Sequence, residues 1–327
     1  MKWIALSAVM TSGLAACGGG GGGSDDSSTV FGSGGAAPVA WEDRSIVTSY
    51  DFHTVDFPTE SVGYASGDGG RIYKSTDGGA TWSALLSGVP STLYGLHFFD
   101  ADNGLVVGGF GTILATADGG DTWTKRTSPV PADLYALSFP SPLTGYASGS
   151  FGSIIKTTDG GATWIALTSG TSNYEFLGVA FQNEQVGVVV GDDGAAYYTR
   201  DGGTNWSPGS SGTTRNLNHA CMLPEGIGYA VGDDGTILKT GDSGVSWSKL
   251  VSGIGYVLHA VTAIDVHTAV AVGDKGAILR TEDGGETWSE LASGTTNPLF
   301  AVDFLDATHG WIAGWDGVIL RTTTGGK

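Results

Sequence analysis

The sequence predicts an all-β protein: a seven-bladed β-propeller of four-stranded antiparallel blades, its ring closed by an N-terminal strand. Three observations predict it. Tryptophans recur at Trp41, Trp82, Trp123, Trp164, Trp206, Trp247 and Trp288, with gaps of 41, 41, 41, 42, 41 and 41 residues, and a fixed period of this length is one supersecondary unit copied head to tail. Six of these tryptophans close a box of the general form Ser/Thr-x-Asp-x-Gly-x-Thr-Trp, cleanest in Ser75-Thr76-Asp77-Gly78-Gly79-Ala80-Thr81-Trp82. Each repeat also holds four short runs rich in β-branched or aromatic residues, bounded by Gly, Asp, Asn or Pro, with no amphipathic helical period between them.

The second repeat shows the unit well: Leu93 to Phe99, Gly104 to Gly109, Thr112 to Thr116, the box, then Thr122 to Thr127. Four antiparallel strands in such a repeat make a propeller blade. Third strands recur seven times, from Ile72-Tyr73 to Ile319-Leu320, but the last copy stops at Lys327, before a fourth strand. The missing strand is expected at the other end, because Trp41 lies one period before Trp82. That places Val39-Ala40-Trp41-Glu42 as the outer strand of blade 7, tying both ends of the domain together and removing an open sheet edge.

Within the box, Asp77, Asp118, Asp159, Asp201, Asp242 and Asp283 are expected to accept hydrogen bonds from the amides of the turn they open. The tryptophan packs the outer strand onto the sheet. Similar boxes occur in sialidases, but a catalytic site needs one set of groups and these recur around a ring, so a structural role is the reading adopted. The seventh copy has Thr324 where the Asp belongs and is expected to be looser.

Residues 1–17 read as an export signal: Lys2, a short apolar stretch from Trp3 to Met10, then Leu14-Ala15-Ala16-Cys17 in the manner of a bacterial lipobox. Cys17 is the expected lipid-attachment residue; the plainer alternative is a cleaved signal with a chance cysteine. Residues 18–37, rich in Gly, Ser and Asp, read as a solvated tether, and residues 38–327 as the propeller. A lipid-anchored domain in the periplasm or at the cell surface is expected, with the outer membrane favoured because Gly18 follows the cysteine. With Cys17 lipidated, Cys221 has no partner and is expected to be a buried structural thiol.

The chain carries 33 acidic and 15 basic side chains, a formal charge of −18. Such a field repels phosphate backbones, which disfavours nucleic acid. A charged partner is expected to be cationic, and the protein itself a monomer.

In propellers the turns between strands two and three share a face with the inter-blade connections, and the boxes lie on the other. On the first face the sequence places Asp68, Asp192, Asp193, Asp233, Asp234, Asp274 and Asp316, with Phe110, Phe151 and Trp315 at equivalent places elsewhere in the ring. An acidic arc over blades 4 to 6 and an aromatic one over blades 2, 3 and 7 point to docking of a cationic, partly apolar protein. The plainer alternative is that Asp-Asp-Gly is good turn chemistry. Along the innermost strands, Asp56, His97 and Asp303 fall at matching positions of neighbouring blades, where a metal or acid–base site competes with a hydrated channel wall. A second aligned ring is His53, Tyr94, Tyr135, Leu177, His219, His259 and Phe300, read as a cap on the core.

The phrases Gly276-Ala277-Ile278-Leu279-Arg280-Thr281-Glu282-Asp283-Gly284-Gly285-Glu286-Thr287-Trp288 and Leu299-Phe300-Ala301-Val302-Asp303-Phe304-Leu305-Asp306 resemble the photosystem II stability and assembly factor family. The resemblance runs over residues 38 to 327. It implies a seven-bladed propeller that acts without catalysis, holding a membrane-protein subunit during assembly, and without a cofactor. Photosynthetic members use an arginine-rich patch, whereas here Arg44, Arg71, Arg126, Arg200, Arg215, Arg280 and Arg321 are dispersed among the blades. The expected function is therefore a protein-binding scaffold or assembly factor of the cell envelope, with no catalytic residue and no metal. The alternative is a carbohydrate-active propeller, a glycosidase or a glycan-binding module. Against it stand the missing set of three converging arginines that sialidases need, the single propeller, and loops too short to build a cleft around paired carboxylates.

Overall fold

The computed structural model describes residues 40–327. The export signal, Cys17 and the tether expected in residues 1–17 and 18–37 lie outside the described residues, as does Val39. Among those described, seven four-stranded antiparallel sheets form the ring and no α-helix occurs. Blade 1 comprises Phe52–Asp56, Gly63–Gly67, Arg71–Ser75 and Ser83–Leu86; blade 2 comprises Leu93–Phe98, Gly104–Gly108, Thr112–Thr116 and Thr124–Lys125. The outer strands are shorter than the sequence suggests, because the residue before each box tryptophan turns its amide toward the box aspartate instead of a neighbouring strand. Thr122 N, for example, donates to Asp118 Oδ1 at 2.9 Å.

Blade 7 is completed from both ends of the chain. Leu299–Phe304, Gly310–Gly314 and Ile319–Thr322 are joined by Glu42–Asp43, paired as Glu42 with Arg321 and Asp43 with Leu320. The closing strand begins just after Trp41 instead of at Val39, as strands do after the box tryptophans. Trp41 itself is 2% exposed and packs in the blade 6–7 core with Leu320 and Ile312. Beyond the strand, Arg44 N donates to Ile319 O at 2.7 Å and Ile46 N to Gly317 O at 2.9 Å.

The boxes hold their turns as the residue types require. In blade 1, Gly79 N donates to Ser75 Oγ at 2.8 Å, and Thr81 donates from N to Asp77 Oδ1 at 2.8 Å and from Oγ1 to Asp77 Oδ2 at 2.6 Å. Asn205 and Ser246 replace the threonine in blades 4 and 5 and still bond Asp201 and Asp242. The seventh copy keeps the hydroxyl half, with Gly326 N on Thr322 Oγ1 at 2.8 Å. Its carboxylate half is missing; Arg280 Nη1 donates to Gly325 O at 2.6 Å, as Lys74, Lys156 and Lys239 do to the matching glycines of intact boxes. Hydrogen bonds from the Thr81 hydroxyl and amide hold Asp77 down to about 2, and the same set does so for Asp118, Asp159 and Asp283. A carboxyl depressed in the folded state contributes stability that is complete above its unfolded value near 4 and is lost as pH falls through the folded one. The melting temperature is therefore expected to fall steeply between about pH 4 and 2, and replacing these four aspartates by asparagine should flatten that limb; an unchanged acid limb would show that the boxes do not set it.

Neighbouring blades are cemented by rings. Tyr64 of blade 1 stacks on Phe98 of blade 2 with centroids 3.5 Å apart, and Trp123 meets the same Phe98 edge-on at 6.1 Å. Across the closure, Trp311 stacks on Phe57 at 3.7 Å and donates Nε1–H to Gly78 O. Each such phenylalanine lies flat on a glycine opening the second strand: a Cβ on Gly63 would fall 2.2 Å from the Phe57 ring. Blade 5 sets Met222 against Gly228 instead, and blade 6 pairs Ala263 with Ala269 in those two places.

Candidate functional site

Two geometric features define the loop face. The first is the set of seven turns between strands two and three. Asp68 N donates to Asp51 O at 3.1 Å and Asp192 N to Glu175 O at 3.2 Å, which seats these turns beside the connections entering each blade. The boxes lie opposite: Gly78 N donates to Ser61 O and Gly119 N to Asp102 O, in the loops between strands one and two.

In each turn the middle residue has positive φ. Glycine fills this place in blade 1 (Gly69, φ 62°), and Asp193, Asp234 and Asp316 fill it at 52°, 53° and 53°. Those are the residue types that tolerate left-handed backbone. Blades 2 and 3 instead use Phe110 at 57° and Phe151 at 56°, and both rings stand in solvent, 83% and 70% exposed. Trp315, 47% exposed, is not at their equivalent place as the sequence alignment has it. It occupies the first turn position, that of Asp68, Asp192, Asp233 and Asp274, and Asp316 follows it at the left-handed place. Side chains entering blades 1, 3 and 5 brace the preceding turns: Asp133 Oδ1 accepts from Phe110 N at 2.6 Å, Asn216 Oδ1 from Asp193 N at 3.0 Å and Asp51 Oδ1 from Asp316 N at 3.0 Å.

The acidic turns of blades 4 to 6 carry cations of their own. Arg215 pairs with Asp234 at 2.8 Å, and Lys275 lies over the Tyr256 ring. Burial, and next the charge of Glu175, raise the Asp192 carboxyl.

The second feature is the axial channel, a cavity of 390 Å³. Four of the chain's six histidines line it, His53, His97, His219 and His259. Asp56, His97 and Asp303 all line it, and the two carboxylates bind backbone. Asp303 Oδ2 accepts from Phe57 N at 3.0 Å and Asp56 Oδ2 from Phe98 N at 2.5 Å, each reaching into the next blade. Ser138 does the same to Phe181 N at 3.0 Å. His97 stands 3.9 Å from Asp56 and stacks on Phe139. Position and bonding make Asp56 and Asp303 staples between blades.

The mouth ring is corrected in one place. Pairing of Leu217 with Gly232 and of His219 with Val231 puts Asn218, not His219, level with His53, Tyr94, Tyr135, Leu177, His259 and Phe300. His219 sits one step deeper, level with Thr54 and Gly95, where burial lowers its imidazole to about 4. Cys221 shares that strand; it is only partly buried by area, and burial of its thiol still pushes it up to about 12.

Each mouth position precedes the first turn position of its own blade by fifteen residues, and several of these pairs bond. His53 Nε2 donates to Asp68 Oδ1 at 2.9 Å, His259 Nε2 to Asp274 Oδ1 at 2.9 Å, and Tyr135 OH bonds Ser150 Oγ at 2.8 Å and Glu175 Oε2 at 2.6 Å. Sequence reasoning saw the ring and the turns but not this pairing. The constant offset of fifteen is the signal that could have found it.

Among the described residues, one trio of metal-ligating groups converges, Glu60, Asp306 and His309 at the blade 1–7 seam on the box face. Asp306 there caps its own turn, accepting from Thr308 N at 2.6 Å and His309 N at 2.8 Å, as Asp100 and Asp265 do in their loops.

Seven blades, a strand-exchange closure and a box on nearly every blade define an Asp-box β-propeller, and the BNR/Asp-box repeat matches residues 73–84. The chain belongs to the family described as Photosynthesis system II assembly factor YCF48, which matches residues 82–172, 129–207 and 167–297, together more than half of its length. Among solved structures it is similar to YCF48 bound to D1 peptide, at TM-score 0.74 and 21% identity over 87% of this chain and 97% of that one. YCF48 from Cyanidioschyzon merolae follows at 0.71 and 21%, covering 86% and 98%. A GH74 xyloglucanase from Xanthomonas campestris reaches 0.69 and 17%, covering 87% of this chain and 53% of that one. These identities speak for the fold alone. A search of curated protein sequences returns no match.

Proposed function

We propose that this propeller is a non-catalytic scaffold or assembly factor of the bacterial cell envelope, anchored through lipid on Cys17 and binding a protein partner on its loop face. Phe110 and Phe151 are the observation that carries this reading. A phenylalanine gains nothing from a left-handed turn or from exposure, and each such residue costs on the order of 1 kcal/mol that a covering partner offsets. They belong to a rim on the same face that includes Leu86, Val251, Val47 and Trp315, all exposed. The negative field of the chain and the carboxylates of blades 4 to 6 favour a partner that is cationic as well as apolar. A relative of this family in complex with a peptide supports a protein ligand.

Crosslinking of the tethered protein in its own cells tests this. The wild type is expected to capture an envelope protein, and Phe110→Gly/Phe151→Gly is expected to lose at least tenfold of it while melting no lower, since glycine suits the φ of both turns. A Cys17→Ala arm should move the protein out of the membrane fraction. Capture of polysaccharide alone, with turnover of glycans in vitro, overturns the scaffold reading.

A further inference from the structure

We propose that the mouth of the axial channel is an aromatic collar that receives one basic side chain, lysine or arginine, from the docked partner; this rests on the protein-binding reading above. Five consecutive mouth positions carry rings: His259, Phe300, His53, Tyr94 and Tyr135, in blades 6, 7, 1, 2 and 3. They touch in sequence. His259 meets Phe300 at 5.0 Å, Phe300 stacks on His53 at 5.6 Å, His53 meets Tyr94 at 5.4 Å and Tyr94 meets Tyr135 at 5.3 Å. Leu177 and Asn218 complete the circle without rings.

Aromatic rings attract a cation through their π-faces, and the attraction strengthens when the cation leaves water. Carboxylates stand directly behind it. Asp68 and Asp274 use Oδ1 on the collar histidines and are 42% and 38% exposed, so each fixes an imidazole and keeps part of its carboxylate in solvent. Glu175 holds Tyr135 in the same way. The cavity volume lies within the range of small-ligand sites, about 300–1,000 Å³. Its lower wall is closed to an anion by Asp56 and Asp303. Rings in front, carboxylates behind and no unpaired cation in the lining select a positive, partly apolar group, which is what an alkylammonium or alkylguanidinium is. Phe110 and Phe151 then grip the flanking apolar residues of the same segment from the rim.

The test uses n-butylguanidinium and n-butylammonium as side-chain probes and n-butanesulfonate as the anionic control, read on the ring resonances of the histidines by NMR. Saturable shifts at His53 and His259 with the cations but not the sulfonate are expected, weakened at least tenfold in Phe300→Leu and in Asp68→Asn/Asp274→Asn. Absence of saturation, or equal shifts with the sulfonate, overturns the proposal. The two readings fail separately. If Asp68→Asn/Asp274→Asn melts normally and captures the partner in full, side-chain insertion is wrong and rim docking stands; if the cations saturate the mouth but no protein is captured, the partner reading fails instead.

Discussion

Removal of residues 38–50 is expected to abolish the cooperative unfolding transition. The deletion takes away Glu42–Asp43, the hydrogen bonds of Arg44 and Ile46 to blade 7, and Trp41 from the core of Val270, Ile312 and Leu320. Blade 7 would keep three strands, with the amides and carbonyls of Ile319–Thr322 exposed as an open edge. The effect exceeds that of losing any other outer strand because this one joins the two ends of the chain. Without it, opening at the blade 7–1 seam is opposed only by side-chain contacts such as Trp311 on Phe57 and Asp303 on Phe57 N. Trp41→Ala alone should cost about 3–5 kcal/mol, the usual range for a buried tryptophan. Differential scanning calorimetry decides: a single sharp transition in the deletion protein, at the wild-type temperature, would show that closure lies elsewhere.

Gly104→Ala and Phe98→Ala are each expected to destabilise the fold, and the double variant to lose less than the sum of the two. A Cβ on Gly104 would fall 2.5 Å from the Phe98 ring, which is itself clamped between Tyr64 and Trp123 and has nowhere to move. Overpacking of this kind costs about 1–3 kcal/mol or more, and Phe98→Ala alone about 3–5 kcal/mol through the cavity it leaves. The natural precedent is in the same molecule, where blade 6 pairs Ala263 with Ala269 across the corresponding strands. Denaturant melts of the single and double variants should therefore show a coupling of at least about 1 kcal/mol in favour of the double. Simple additivity would mean that the ring and the glycine do not share a slot.

Much of this was legible in the residues. The tryptophan period and the box depend on local chemistry: an aspartate two places after a hydroxyl, glycines where φ is positive, a tryptophan opening the outer strand. Because that chemistry repeats, blade number and strand order could be read by counting, and the missing fourth strand of blade 7 pointed to its replacement near Trp41. Counting failed where an added residue had to be assigned. Counting the extra residue that precedes Phe176 a second time before Leu217 puts His219 in the mouth ring that Asn218 occupies; only the pairing of Leu217 with Gly232 fixes that register. A slip of one residue exchanges the faces of a strand, so the error mattered for the site and not for the fold.

The site was half visible. Phe110 and Phe151 announce themselves as turn residues of unusual type and the paired aspartates as ordinary turn chemistry, yet their exposure, and the offset of Trp315 from the two phenylalanines, are properties of the closed ring. Asp56 and Asp303 read as chemistry in the sequence because both are carboxylates near an axis, with His97 on the next blade. They are bound to backbone amides of neighbouring blades, contacts between residues 42 and 246 positions apart. Sequence by itself determined what each repeat does alone: its strands, its box and its turns, all set by interactions within a few residues. Which side chains face one another across the axis was decided by closure of the ring, since that distance depends on how seven twisted sheets pack and on no local preference.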